Sequence, residues 1–399
     1  MEKVKPISST KQKRKDMQGT PDFLLIGIII GIVAFGVVMV YSASFNYCTT
    51  KGWAPTRLAF KQLGLGIVGI IAMLIVALKF DYHIFVRRNI IRALYWASII
   101  LAASVRVFGI KVNGARRWLQ VGPVQIQPSE FVKVTVILML ASYIMINRNK
   151  MHEWKTIAIG WLIALFPAGV VAVIGSNLSS GLVILGIGAV MMFACSGKIK
   201  VYAGIILLGI GAVAGVLHLA HVTPKGEDPN IPIVDKILPG YRLDRIRVWE
   251  DPWIDPSDDG YQPIQSLLAV GSGGLFGVGL GSGIQKLGFV PEPYNDIIFA
   301  VICEELGLIG ALTLMFVYMC LVLRGMRVAL KAKDYSGTLI AIGISSMIGM
   351  QALINVAVNT NTLPTTGMQL PLISYGGTAL VVLLGGLGLL INVSRNMEE

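Results

Sequence analysis

Apolar runs of about 20 residues, the length that a helix needs to cross a bilayer, recur along this 399-residue chain. The strands of a transmembrane barrel would alternate over about ten residues, and that pattern is absent. The sequence therefore predicts an all-α polytopic membrane protein with about ten spans. They cover residues 22–43, 58–79, 89–109, 128–147, 155–175, 180–196, 200–220, 297–323, 337–358 and 373–394.

Charge is scarce and unevenly placed. Only 14% of the residues are charged, against about 25% in soluble proteins, so most of the surface is expected to face lipid. The net charge of +12 does not predict a nucleic-acid partner, because the lysines and arginines gather in short loops, where they fix orientation. The four cysteines and four histidines form no cluster, so neither a disulfide framework nor a metal site is predicted.

The basic segments all fall on one side of the predicted membrane. They are the N-terminal tail, residues 1–21, and the loops 79–92, 148–155, 196–200 and 324–333. By the positive-inside rule this side is the cytoplasm, and an even number of spans places both termini there. The tail is followed by a single predicted transmembrane domain, residues 22–399.

The opposite, outer side carries one long connection between spans 7 and 8, residues 221–296. It has eleven acidic and six basic residues, a balance opposite to that of the inner loops. Loops of this length commonly carry function. Its apolar, glycine-rich part, 265–283, is predicted to lie along the membrane surface.

Charged residues also occur where few are expected. The outer loop 106–118 holds four cations, which fit either interfacial snorkelling or an anion site, because arginine presents a fork of donors suited to phosphate. In the fourth span, Glu130 and Lys133 share one helix face. They form either a structural pair that joins two helices or a cavity wall in which Lys133 supplies positive charge.

Broken, polar backbone predicts a cavity that opens outward. Prolines and glycines interrupt residues 362–380, and such backbone is tolerated at membrane depth only where protein or water satisfies it. The polar start of the sixth span, 175–181, and the amides at the outer end of the ninth add to this pattern. We expect the cavity to be ringed by residues 106–130, 242–296 and 355–377.

Asp296 stands at the outer lip of the eighth span, where a carboxylate either caps the helix or reacts. The arginines, tryptophans and amides of the outer loops suit a lipid whose head carries phosphate and sugar, and membrane charge with aromatic belts explains part of that pattern. Sugar transfer from a lipid pyrophosphate needs one base and positive charge on the departing phosphates. Asp296 is the best-placed base. Glu304 and Glu305 are expected to be buried partners of a Lys or Arg on another span.

Five motifs are shared with a known family. They are "GARRWLQVGPVQIQPSEFVK" (114–133), "RVWEDPW" (247–253), "GYQPIQSLLAVGSGGLFGVGLGSGIQK" (260–286), "PEPYNDIIFAVICEELGLIG" (291–310) and "LPLISYGGTALVVLLGGLGLLINVSR" (370–395). In this order, over most of the chain, they resemble the SEDS proteins of bacterial shape, elongation, division and sporulation. The ending "LLINVSR" and the basic tail look more like the division branch (FtsW-type) than the rod-elongation branch (RodA-type).

The resemblance implies a peptidoglycan glycosyltransferase of the bacterial cytoplasmic membrane, which polymerises lipid II at the outer face and releases undecaprenyl pyrophosphate. The family's essential aspartate falls on Asp296. A class B penicillin-binding protein is the implied partner, alongside other division proteins of the membrane. The family resemblance and the pattern of the outer loops together predict ten substrate-binding residues. They are Arg116, Arg117, Trp118, Glu130, Lys133, Arg247, Trp249, Gln262, Gln265 and Ser374.

Two segments depart from the family pattern. The sixth span begins with "SNLSSG" (176–181), where most members have an acidic "PDLG"-like stretch, and "NTNTLPTTG" (359–367) replaces a Thr-Gly-rich segment. A lipid II flippase and a non-catalytic division scaffold remain alternatives, but the charged and broken elements concentrate on the outer side, which favours the enzyme. The sequence requires no cofactor, and its carboxylates could bind a divalent cation such as Mg²⁺ or Mn²⁺.

Overall fold

The computed structural model describes residues 19–112, 115–122, 124–196 and 240–397, with further single positions and one short stretch between 204 and 222. Eight helices in the described ranges are long and apolar enough to cross a membrane. This confirms the predicted all-α membrane architecture. Most of the predicted seventh span, 200–220, and most of the basic tail lie outside the described residues.

The spanning helices follow the predicted apolar runs, and three shorter helices lie outside those runs. The helices are α1 (Phe23–Thr50), α2 (Arg57–Lys79), the one-turn α3 (Tyr82–Phe85), α4 (Arg88–Phe108), α5 (Pro128–Ile146), α6 (Trp154–Gly169), α7 (Leu178–Ser196), α8 (Gly240–Glu250), α9 (Tyr261–Ser272), α10 (Ile298–Lys331), α11 (Tyr335–Asn359) and α12 (Thr378–Ser394). The three shorter helices are α3, α8 and α9. The largest differences from the predicted runs are at the C-terminal ends of α1 and α10, which continue past the predicted ends at 43 and 323. Lysine and arginine are good helix formers, so the basic segment at the end of α10 stays helical instead of forming a loop.

A small antiparallel sheet, which was not predicted, occupies the outer loop after α4. Its strands are β1 (Gly109–Val112), β2 (Ala115–Val121) and β3 (Val124–Ile126), in the order β1-β2-β3. Successive side chains of a strand point to opposite faces. Arg116 is therefore exposed, and its Nη1 donates to the carbonyl oxygen of Arg106 at 3.0 Å, whereas Arg117 turns towards the helices.

The helix α12 lies along α2 through a close backbone approach. A Cβ atom at Gly388 would lie 2.6 Å from the carbonyl oxygen of Met73, so only glycine fits there. Close by, the side-chain amide of Asn392 satisfies carbonyl groups at the end of α2 that have no partner within the helix. It donates to Val76, Ala77 and Phe80 at 2.9, 3.0 and 2.7 Å.

The helix α10 is interrupted at Gly307, whose backbone (φ 67°, ψ −170°) is not helical. Glycine adopts this conformation without a Cβ clash. At the break, the amides of Val278 and Gly279 donate to the carbonyl oxygens of Glu304 and Glu305 at 2.9 and 3.0 Å. The predicted surface segment 265–283 is thus divided: its first part belongs to α9, and its second part lies against the middle of α10.

A buried ion pair holds the loop between α9 and α10 in place. The Nζ atom of Lys286 contacts Oε1 of Glu305 and donates to Oγ of Ser42 in α1 at 2.8 Å. Ser42 in turn donates to Glu305 at 2.6 Å. The partner of Glu305 therefore lies in the loop before α10, not on another span as predicted, because the loop folds back to the depth of the glutamate.

Lys286→Met is expected to lower the free energy of unfolding by about 3 kcal/mol, because it leaves the Glu305 carboxylate buried without its counter-charge. Adding Glu305→Gln should recover part of that loss. Thermal unfolding in detergent measures both effects, with the exposed Lys61→Met as the control. Unchanged unfolding of Lys286→Met would contradict the structural role of the pair.

At the end of the bundle where α3 lies, His83 stands between two carboxylates. Its Nδ1 lies 2.6 Å from Oδ1 of Asp81, and its Nε2 lies 3.6 Å from Oδ2 of Asp334. The interaction with Asp334, more than the one with Asp81, raises the pKa of His83 from 6.5 to about 8, against the opposing effect of burial. The folded state therefore favours the charged imidazolium.

This contribution to stability is fully present below pH 6.5 and is lost as the pH rises through about 8. Since His83 is partly solvated, we expect a loss of about 1 kcal/mol in the free energy of unfolding over that window. Unfolding temperatures measured between pH 6 and 9 should fall less steeply for His83→Gln than for the wild type. His152→Gln, in another loop, is the control and should follow the wild type.

Candidate active site

Asp296 lies at the start of α10 but does not cap it. The helix begins at Ile298, and no side chain caps it from the position before. The amide of Ala300 instead donates to Oδ1 of Asn359 at 3.3 Å. The cap hypothesis for Asp296 is therefore wrong, because an asparagine from α11 serves that end of the helix.

Two buried asparagines of α11 hold the backbone of Asp296. Its carbonyl oxygen accepts from Nδ2 of Asn355 at 2.8 Å and from Nδ2 of Asn359 at 3.0 Å. Asn355 also donates to the carbonyl oxygen of Met368 at 2.6 Å. The sequence predicts that these amides lie near a cavity, but it does not predict that they hold Asp296. The available signal was two amides spaced four residues apart, on one face of a membrane-spanning helix.

The side chain of Asp296 is half-buried, and burial raises the pKa of its carboxyl group above the usual value. The charge of Glu292 acts in the same direction, while Arg117 and a hydrogen bond from Gln262 act against it. A carboxylate with a raised pKa is better matched to proton abstraction near neutral pH.

Gly367 separates Asp296 from Arg117. It has φ +65°, and a Cβ atom built on it would lie 3.2 Å from Nη1 of Arg117 and 3.6 Å from Oδ2 of Asp296. The carboxylate and the guanidinium group therefore face each other across a residue without a side chain. A reacting group can approach both at this point.

A polar cavity of about 70 Å³ adjoins this point. It is large enough for a few water-sized groups, so a disaccharide could occupy only the open space beyond it. Five predicted site residues line it, namely Arg117, Trp118, Glu130, Lys133 and Ser374, together with others including Gln127, Ser180, Gln351 and Gly367.

Glu130 and Lys133 form an ion pair of 2.7 Å within the single helix α5. The hypothesis that the pair joins two helices is therefore wrong, since both partners stand one turn apart in the same helix. The cavity-wall interpretation agrees with the lining residues.

Arg117 is oriented by the segment that departs from the family pattern. Its Nε donates to the carbonyl oxygen of Ser176 at 2.9 Å, and Ser176 has a positive φ of 48°. The next residue, Asn177, accepts from the amide of Ser180 at 3.1 Å and so caps α7. Backbone geometry at this turn thus holds the arginine in place.

The remaining predicted residues are dispersed. The indole Nε1 of Trp249 donates to the carbonyl oxygen of Asn361 at 3.0 Å, and Asn361 donates back at 3.1 Å, so these contacts hold α8 to the loop after α11. Arg247 pairs with Asp244 at 2.5 Å. Gln262 reaches Asp296, whereas Gln265 lies one turn further along α9, half-buried. Neither Arg247 nor Trp249 lines the cavity.

Among the residues that the structure describes, no group of three or more His, Cys, Asp or Glu side chains could hold a metal ion.

Comparison with known proteins identifies the family. The family model described as cell cycle protein, FtsW/RodA/SpoVE, matches residues 22–399. The chain belongs to this family. It is 35% identical over 376 residues to stage V sporulation protein E of Bacillus subtilis (strain 168), covering 94% of this chain and 97% of that protein. It is also 35% identical over 388 residues to the probable peptidoglycan glycosyltransferase FtsW of the same strain, covering 95% and 92%.

Solved structures of the FtsW/RodA/SpoVE family share the fold. One is a chain from a study of the structural coordination of polymerization and crosslinking by a peptidoglycan synthase complex, with a TM-score of 0.75, 28% identity, and coverage of 95% of this chain and 99% of that chain. Another is the rod shape determining protein RodA of Thermus thermophilus, with a TM-score of 0.64, 26% identity, and coverage of 95% and 98%. The predicted SEDS family is confirmed, and the FtsW names among the relatives support the division branch.

Proposed function

We propose that this protein polymerises lipid II into glycan strands at the outer face of the cytoplasmic membrane during cell division, with Asp296 as the general base. The observation that carries the proposal is the half-buried carboxyl group with a raised pKa that faces Arg117 across Gly367. Relatives named as probable peptidoglycan glycosyltransferases support the reaction class.

In the proposed reaction, a sugar hydroxyl of the acceptor attacks the anomeric carbon of the donor. A new glycosidic bond forms, the bond from that carbon to the pyrophosphate oxygen breaks, and the configuration inverts. The hydroxyl proton passes to Asp296. The electron pair leaves with the pyrophosphate, whose developing charge is stabilised by Arg117 and by Lys133 behind it. Asn355 and Asn359 keep the base in place through its backbone.

Two alternative functions make different demands on the structure. A flippase needs a polar path across the whole membrane, whereas the described polar cavity lies at the end of the bundle that carries β1–β3 and the start of α10. A scaffold needs no base, so the raised pKa of Asp296 and the charges around it would serve no purpose. The basic loops at the other end of the bundle support an outward-facing site.

A transpeptidase partner follows from the same proposal. One structural relative comes from a synthase complex that couples polymerization with crosslinking. We therefore propose a class B penicillin-binding protein as the partner of this chain, in contact with other membrane proteins of division.

The test is a polymerisation assay with the purified chain and lipid II in detergent, with and without the partner. Glycan strands longer than the substrate are expected in one or both conditions. A scaffold would give no strands in either condition. A flippase would give none in detergent but would move lipid II across sealed vesicles.

Gly367→Ala should lower the polymerisation rate by about 100-fold, because a methyl group would displace the base, the cation or the substrate between them. Gly122→Ala is the matched control, since Gly122 also has a positive φ (59°) but has open space around its Cβ position. Both changes should cost about 1 kcal/mol of stability through backbone strain. Equal activity in the two variants would contradict the placement of substrate at Gly367.

A further inference from the structure

A second cation stands near the start of α10, outside the cavity. The Cζ atom of Arg57 lies 4.2 Å from the centroid of the Trp53 ring, and both side chains are exposed. In the part of the chain that the structure describes, Arg57 forms no ion pair. A guanidinium group that lies over an aromatic ring still has N–H donors available for an anion.

A chain of aromatic rings connects this arginine to the segment of the proposed base. Tyr47 lies 6.1 Å from Trp53 and 5.1 Å from Tyr294, and Tyr294 lies 5.9 Å from Tyr375, measured between ring centroids. The amide of Tyr375 also donates to the carbonyl oxygen of Tyr294 at 2.9 Å. We name Tyr47, Trp53, Arg57, Tyr294 and Tyr375 the Arg57 cluster.

The charge of Arg57 influences the pKa of a tyrosine in this cluster. Burial raises the pKa of the Tyr375 phenol, and Arg57 acts in the opposite direction. Tyr294 is only two residues before Asp296. The segment from Tyr294 to Asp296 therefore contacts the Arg57 cluster at one end and faces Arg117 at the other.

The proposed polymerisation, on which this inference rests, joins two lipid-linked substrates. Each carries a pyrophosphate at the membrane surface, and two such anions cannot share one cation without strong repulsion. The leaving pyrophosphate belongs near Arg117 and Lys133, where negative charge develops. The other pyrophosphate needs a cation at the membrane interface, and a guanidinium donor edge suits its oxygens.

We infer that the Arg57 cluster binds the pyrophosphate of the acceptor lipid, as a second substrate site on the other side of the base. This pyrophosphate does not change during the reaction, so Arg57 acts by binding and not on the transition state. Arg57→Ala should therefore raise the lipid II concentration at half-maximal rate by about 10-fold or more and change kcat by less than about 3-fold. Arg57→Lys keeps the charge but not the fork, and an intermediate shift is expected.

The direct test counts bound lipid II on the Asp296→Asn chain, which should not consume its substrate. Two molecules per chain are expected at saturation. Adding Arg57→Ala should weaken one site at least 10-fold and leave the other unchanged, while adding Lys51→Ala, an exposed cation of the same loop, should change neither. Elution as a single species in size-exclusion chromatography, together with an unchanged unfolding temperature, establishes that the variants fold.

Four outcomes separate the possibilities. The inference would be overturned if the chain with Arg57→Ala bound two lipid II molecules with unchanged affinity. It would also be overturned if the chains with and without Arg57→Ala each bound only one molecule. Displacement of lipid II from the Arg57-dependent site by an equal amount of phosphatidylglycerol would identify an ordinary phospholipid site and would also overturn it. Failure of the Asp296→Asn chain to bind any lipid II would instead count against the proposed function itself.

Discussion

Asp296→Asn is expected to lower the rate of lipid II polymerisation by about 10²–10⁴-fold, the range that general bases contribute. The amide has nearly the same shape but cannot accept the hydroxyl proton. The backbone contacts from Asn355 and Asn359 do not depend on the carboxylate, so folding and partner binding should persist. Strand formation from lipid II, followed on gels with the purified chain and its partner, measures the effect.

Asp258→Asn is the matched control, because Asp258 is an exposed carboxylate of the loop between α8 and α9. It should retain the wild-type rate. Full polymer yield from Asp296→Asn would refute the assignment of the base. The pH dependence gives an independent test: activity should fall on the acid side as Asp296 becomes protonated, at a pH above the usual range of aspartate because burial raises its pKa.

Arg117→Ala should reduce kcat by about 10²–10³-fold with a smaller effect on KM, as for the loss of one group that stabilises developing charge. Its Nη1 lies close to the Cβ position of Gly367, opposite Asp296. Without Arg117, only Lys133 among the two proposed cations would stabilise the departing pyrophosphate, and Lys133 already forms an ion pair with Glu130. Single-turnover rates at saturating lipid II separate this effect from substrate binding.

Arg116→Ala provides the control for Arg117 within one strand. The two arginines are neighbours on β2 and point to opposite faces, and within the described ranges Arg116 donates to a backbone carbonyl group at the exposed side. Its loss removes the same charge without touching the cavity. A large fall in kcat for Arg116→Ala, or none for Arg117→Ala, would contradict the proposed division of roles.

Much of the fold could be predicted from the sequence because each spanning helix is a local property. About 20 apolar residues in a row have few alternatives in a membrane, and the eight long helices reflect this. The sheet after α4 could not be found in this way, since its strands are short and charged. The break at Gly307 was also missed, because it depends on a loop that returns from 30 residues earlier.

The candidate site was partly predictable for a related reason. Asp296, Arg117 and Lys133 are charges in unusual places, which a sequence exposes directly. Their spatial relation, however, depends on Gly367 and on the amides of α11, which make contacts across 59 and 63 residues. Arg247 and Trp249 matched the same charge-and-aromatic pattern, but the structure uses Trp249 to hold α8 in place.

The close packing of α12 on α2 sets when the protein can become active during its synthesis. Asn392 binds carbonyl groups of α2 from 316 positions further along the chain, so α2 enters the membrane long before its neighbour exists. Gly367, which completes the surroundings of Asp296, is also made only after eleven of the twelve described helices have been synthesised. A ribosome-bound chain that has not yet produced α12 has neither a closed bundle nor a complete site. Under the proposed function, an unfinished chain would therefore not process lipid II.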